Sequence, residues 1–190
     1  MKTKFLSTLC MMMAVLGCMS CGEEEYYSSS FLYMLSCSKD LLKFATPVVT
    51  YFDGDGVERT YTLKESDWKE PDGFSMVIGK DKVEVSEPDS YYWTKEVRFD
   101  SFGVRSWMKV KFVLKENVNV TDNYIYNFNY SLECFAFANS SDISNSSRLG
   151  SAPKNYKQVE ASQVVSYLQD LSNTIEEVTL SVDSDGQIQL

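Results

Sequence analysis

The chain of 190 residues carries 18 Lys and Arg against 27 Asp and Glu, a formal net charge of −9, and contains no histidine. The missing imidazole rules out Ser-His-Asp and Cys-His catalysis and histidine-ligated zinc, which leaves carboxylates, Lys, Tyr and Ser for any acid–base work. The acidity argues against a nucleic-acid backbone as partner without a local basic patch, and the composition calls for no cofactor and no metal.

Lys2 and Lys4 precede an apolar run, Phe5 to Leu16, and then small residues and cysteine. This is the layout of a secretory signal. The run is too short to span a bilayer, and no later stretch reaches the roughly 18 apolar residues that spanning needs. Ala14-Val15-Leu16-Gly17-Cys18 resembles a lipobox, the signal for thioether attachment of diacylglycerol, and Met19-Ser20-Cys21 offers a second site. Cys18 has the better upstream context, with Val15 three positions before it. Cys21 has the better downstream context, because Ser-Cys-Gly-Glu-Glu-Glu at 20–25 resembles the start of mature Bacteroidetes-type outer-membrane lipoproteins. Cys21 is the preferred lipid site and Cys18 the alternative. The resemblance covers residues 1–25 and implies an anchor in the outer membrane with display at the cell surface. It implies no activity. Two acyl chains anchor stably where one is marginal.

The expected division is a signal peptide at 1–20, an acidic tether at 21–30 and a single β-rich domain at 31–190. Without Lys2 and Lys4, 16 basic residues face 27 acidic ones, a mature net charge of −11. Period-two alternation dominates the domain and predicts half-buried strands. Phe31, Tyr33, Leu35 and Cys37 share one face. Ser38 reads as the cap of one helical turn over 38–44, stopped before Pro47. Residues 47–53 and 57–64 predict a hairpin around Gly54-Asp55, with Phe52 opposite Val57 and Val48 opposite Tyr61. Phe74, Met76, Ile78, Val83 and Val85 predict a second. Strands 91–100 and 105–115 predict a third, whose four-residue loop sets Arg98 against Trp107 and Glu96 against Lys109, because facing opposite charges help by about 0.2–1 kcal/mol. Residues 124–138 alternate without a break. The Ser/Asn-rich stretch 139–158 reads as a long surface loop. Ala161, Val164, Val165, Leu168 and Leu171 make the apolar stripe of a helix at 160–172. A last hairpin turns at Asp185-Gly186. The expected fold is mainly β: an antiparallel sandwich or meander barrel with one helix in the C-terminal half.

Four features bear on function. Asp53-Gly54-Asp55-Gly56 and Asp183-Ser184-Asp185-Gly186 are fragments of a calcium loop, but between alternating strands they read as turns. Cys37 and Cys134 lie on apolar faces and are disulfide candidates in an oxidising compartment. Arg105, Lys109, Lys111 and Lys115 form a basic stripe that reads as a solvated sheet face. Trp68, Tyr91, Tyr92, Trp93 and Trp107 raise the question of sugar stacking, and Trp107, Tyr92 and Arg98 form the candidate ligand face. The leading functional expectation is a non-enzymatic envelope lipoprotein, held to the membrane by lipid, that binds or supports a protein or glycan outside the cell. The alternatives are a glycan-binding accessory protein of an outer-membrane uptake system and, more weakly, a glycosidase using carboxylates alone.

Overall fold

The computed structural model describes residues 26–70, 75–78, 81–84, 90–116, 119–140, 144–151 and 155–190, so the signal, Cys18 and Cys21 lie outside the described residues. The elements in order are β1 (Tyr27–Ser38), α1 (Lys39–Phe44), β2 (Ala45–Phe52), β3 (Glu58–Thr62), β4 (Ser75–Ile78), β5 (Asp81–Glu84), β6 (Ser90–Phe99), β7 (Val104–Leu114), β8 (Ile125–Ser140), β9 (Ser144–Ser151), β10 (Asn155–Glu160), α2 (Val164–Ser172), β11 (Ile175–Val182) and β12 (Ile188–Gln189). One antiparallel sheet runs β10–β8–β1–β6, with β9 on the same edge of β8 as β10. The other runs β12–β11–β7–β2–β3, and neither closes on itself. The fold is an antiparallel β-sandwich, with β4 and β5 paired as a separate ribbon.

The core lies where alternation puts it. Phe31, Tyr33, Leu35 and Cys37 of β1 and Phe128, Tyr130, Leu132 and Cys134 of β8 face Met108, Val110 and Phe112 of β7 and Val178 and Leu180 of β11, all buried. Phe112 and Tyr130 meet across the gap with ring centroids 4.9 Å apart. The Tyr33 hydroxyl donates to Ser106 Oγ at 2.6 Å, joining the two sheets inside the core. Burial pushes the Tyr33 hydroxyl far above its ordinary pKa, so it stays a neutral donor.

Both helices follow their sequence signals. Ser38 caps α1, its Oγ accepting from Leu41 N at 3.3 Å and from Asn129 N at 3.1 Å. Asp40 is buried beneath the helix, where Oδ2 accepts from Asn127 N at 3.0 Å and Oδ1 from Lys43 Nζ at 2.8 Å. In α2, Val164, Leu168 and Leu171 are buried, whereas Val165 is 55% exposed. One residue is a 100° step around a helix, enough to carry Val165 off the stripe. Tyr167 stacks on Phe128 at 5.3 Å, and its buried hydroxyl has no hydrogen-bond partner. Stranding a buried hydroxyl costs about 1–3 kcal/mol. Tyr167→Phe is therefore expected to stabilise the fold by about 1 kcal/mol in urea unfolding, and a loss of stability would show that the hydroxyl is satisfied in solution.

Four expectations need correction. Strands β6 and β7 occupy their predicted positions but do not pair with each other. Strand β6 lies on β1, with Ser29↔Phe99 through Ser38↔Ser90, while β7 lies between β2 and β11. The chain turns at Asp100–Gly103, with Gly103 at φ 72°, and crosses from one sheet to the other. The β2–β3 register is shifted by one residue: Phe52 faces Glu58 and Val48 faces Thr62. The turn holds an extra residue, with Gly56 at φ 75°, and a slip of one flips every β3 side chain to the other face. The stretch expected as a loop at 139–158 contains β9 and β10, both laddered onto β8. A free strand edge supplies backbone hydrogen bonds to Ser and Asn as readily as to Val. Finally, the tether ends sooner than residue 30, because β1 begins at Tyr27. Ser29 is buried there and donates Oγ to Ser101 O at 2.8 Å.

Candidate functional site

The D-x-D-G stretches are two copies of one turn. Asp53 Oδ1 accepts from Asp55 N at 3.1 Å and Val57 N at 3.0 Å, and Arg59 Nε reaches Oδ2 at 2.6 Å. Asp183 Oδ1 accepts from Asp185 N at 3.0 Å and Gln187 N at 2.8 Å, and Gln189 Nε2 reaches Oδ2 at 2.7 Å. The hydrogen bond from Arg59 holds the Asp53 carboxyl below its ordinary range. The small stabilisation this brings is present above that range and fades as pH falls through the lowered value. Both lead carboxylates are thus committed to their turns. Among the described residues no group of three or more Asp, Glu, Cys or His side chains could hold a metal.

The two thiols are buried but not adjacent. Cys134 faces Tyr33 and Cys37 faces Tyr130, so they lie four rungs apart along the β1–β8 ladder. At a rise of about 3.3 Å per residue and a strand spacing of about 4.8 Å, their Cα atoms are roughly 14 Å apart, beyond the ~7 Å limit for a disulfide. Both cysteines are free. Burial pushes both thiols well above the ordinary thiol range and makes them inert.

The face expected from Trp107, Tyr92 and Arg98 is not assembled. Tyr92 is fully buried on the outer side of the first sheet, in a small cluster with Met34 and Phe135. Arg98 lies on the same side of that sheet, in a two-bond fork with Glu96 at 2.8 and 3.1 Å. Trp107 lies on the other sheet, because β6 and β7 do not pair. There Phe52 stacks on it at 6.3 Å and Lys109 Nζ stands 4.7 Å from its ring. Of the basic stripe, Lys109 pairs within its own sheet, with Glu177 at 3.7 Å, instead of with Glu96.

A different set of residues converges at one pole of the sandwich. Two connections cross between the sheets there: α1, from β1 to β2, and the segment after β3 that reaches the edge of β6. Between them lies a cleft of about 550 Å³. Its floor is Leu42, Pro47 and Leu63; half-buried Trp68 and Tyr91 form its aromatic walls. Lys39, Lys43, Lys115, Glu65 and Glu70 stand exposed around it. Each wall is pinned. Lys64 N and the Tyr61 hydroxyl donate to Asp67 Oδ2 at 2.7 and 3.0 Å, holding the 3₁₀ turn Glu65–Asp67 that presents Trp68. Lys69 and Tyr92 exchange backbone hydrogen bonds at 2.8 and 2.9 Å, docking that segment on β6. Lys115 Nζ donates to Leu42 O at 2.7 Å, and Lys39 Nζ stands 5.3 Å over the Tyr91 ring. The hydrogen bond that Lys43 donates to Asp40 raises the Lys43 pKa and keeps that ammonium charged.

The sequence offered Trp68 and Tyr91 as aromatics without a location. Nothing local marks residues 39, 65, 91 and 115 as neighbours. No protein-family model, no curated protein and no solved structure matches this chain.

Proposed function

We propose that the protein is a lipid-anchored, non-enzymatic envelope module that offers the Trp68–Tyr91 cleft to a ligand at the pole remote from its anchor. The observation that carries this reading is the course of β1. The strand enters the sandwich at Tyr27, beside Phe102 with ring centroids 5.1 Å apart, and ends at Ser38, where α1 begins the cleft wall. Its 12 residues span about 36 Å at roughly 3.3 Å per residue. Tyr27 follows the preferred lipid site, Cys21, by six residues. The membrane is then the partner at the Tyr27 pole, through lipid, and the cleft faces away from it. The Glu23–Glu25 run supports display at the cell surface, and the absence of histidine supports binding over catalysis.

Intact mass of the mature protein tests the anchor. The expected chain starts at Cys21 and carries a diacylglyceryl group, and Cys21→Ser is expected to lose that group and leave the membrane fraction. A chain starting at Cys18 refutes the site, and an unmodified chain refutes the anchor itself.

A further inference from the structure

We infer that the cleft binds a neutral saccharide. This rests on the reading above only in taking the cleft as the ligand site; it does not need the anchor. Trp68 presents aromatic surface over an apolar floor, which suits the C–H face of a sugar ring, and Tyr91 lines the same cleft with Lys39 Nζ 5.3 Å over its ring. The rim mixes donors and acceptors: Lys39 and Lys115 supply N–H groups, Glu65 and Glu70 supply oxygens. A sugar hydroxyl donates and accepts at once, so it uses both kinds. Lys115 spends one of its three protons on Leu42 O and keeps the others for a ligand.

Charge selects the neutral class. Lys43 is balanced by Asp40 at 2.8 Å, which leaves, among the described residues, two lysines facing two glutamates. A cleft so balanced, on a chain of net charge −9, gives a polyanion no electrostatic advantage and a polycation no acidic cluster to read. Its volume of about 550 Å³ falls within the roughly 300–1,000 Å³ of small-ligand sites, enough for a short oligosaccharide. Trp107 makes no such site, because Phe52 and Lys109 already occupy its surroundings.

The test uses the mature protein in a non-glycosidic detergent. Calorimetry against short oligosaccharides cut from neutral glucans, mannans, xylans and galactans is set beside uronate oligomers of matched length. At least one neutral oligosaccharide is expected to bind. Trp68→Ala is expected to weaken that binding at least about tenfold, while Trp107→Ala binds like the parent. Should Trp68→Ala unfold, Lys39→Ala and Glu65→Gln, both exposed, are expected to weaken binding several-fold at an unchanged melting temperature. Binding of uronates alone, binding of nothing in the panel, unchanged affinity in both rim variants, or loss of binding in Trp107→Ala overturns the inference. Intact mass of the same sample reports the anchor separately, so a lipid-free protein that still binds sugar refutes the anchor and keeps the cleft.

Discussion

Phe128→Ala is expected to remove about 3–5 kcal/mol of unfolding free energy. Phe128 is fully buried on β8, and three elements meet on its ring. Tyr126 of β8 stacks at 5.9 Å, Tyr167 of α2 at 5.3 Å, and Phe44 of α1 packs edge-on at 5.8 Å. Truncation leaves a cavity bounded by aromatic rings on a strand and two helices, which are too large and too constrained to close over it. Against a typical stability of about 5–15 kcal/mol, the loss is a large share. The melting temperature of a domain this size falls by about 2–4 °C per kcal/mol, so a drop of roughly 10 °C is expected. Urea unfolding with an unchanged slope checks it. A loss under about 1 kcal/mol would mean that Phe128 is not the hub of this core.

Asp40→Ala is the second large effect, expected at about 2–3 kcal/mol. The carboxylate accepts from the backbone of Asn127 at 3.0 Å and from Lys43 at 2.8 Å, and its residue is buried. Removing it strands a backbone N–H near the start of β8 and removes one of the ties that hold α1 to the sheet. Charge-assisted bonds of this kind are the stronger class. Asp40→Asn keeps an acceptor for Asn127 and is expected to recover about half of the loss. Because α1 carries Lys39, Leu42 and Lys43 into the cleft, the alanine variant is also expected to weaken ligand binding. Equal stability of the Ala and Asn variants would show that the backbone bond contributes nothing.

The same residues separate what was readable locally from what was not. The sequence by itself determined most of the elements, β9 and β10 excepted: the alternation from Phe31 to Cys37 and from Tyr126 to Cys134, the Ser38 cap, the Asp-Gly turns and the stripe Val164, Leu168, Leu171. Each is a property of neighbours within a few residues, where backbone geometry sets the period and a side chain reaches its own backbone. It also determined the inward face of most strands, since one apolar face per strand has to be buried. Local turns also paired β2 with β3, β4 with β5 and β11 with β12, and only the tertiary structure decided the pairings between strands distant in sequence. Consecutive β6 and β7 lie in different sheets because β6 ladders along Ser29–Ser38 of β1, a partner more than fifty residues away. A local charge match of under about 1 kcal/mol cannot weigh against ten rungs of sheet. That choice dissolves the expected Trp107–Tyr92–Arg98 face, since a ligand face on paired strands exists only if they pair. It also sets Cys37 and Cys134 four rungs apart, because burial on one face fixes direction and leaves position along the strand open. The cleft belongs wholly to this second kind of information. Lys39, Trp68, Tyr91 and Lys115 come from four separate segments, and they meet because two crossover connections converge at one pole of the sandwich.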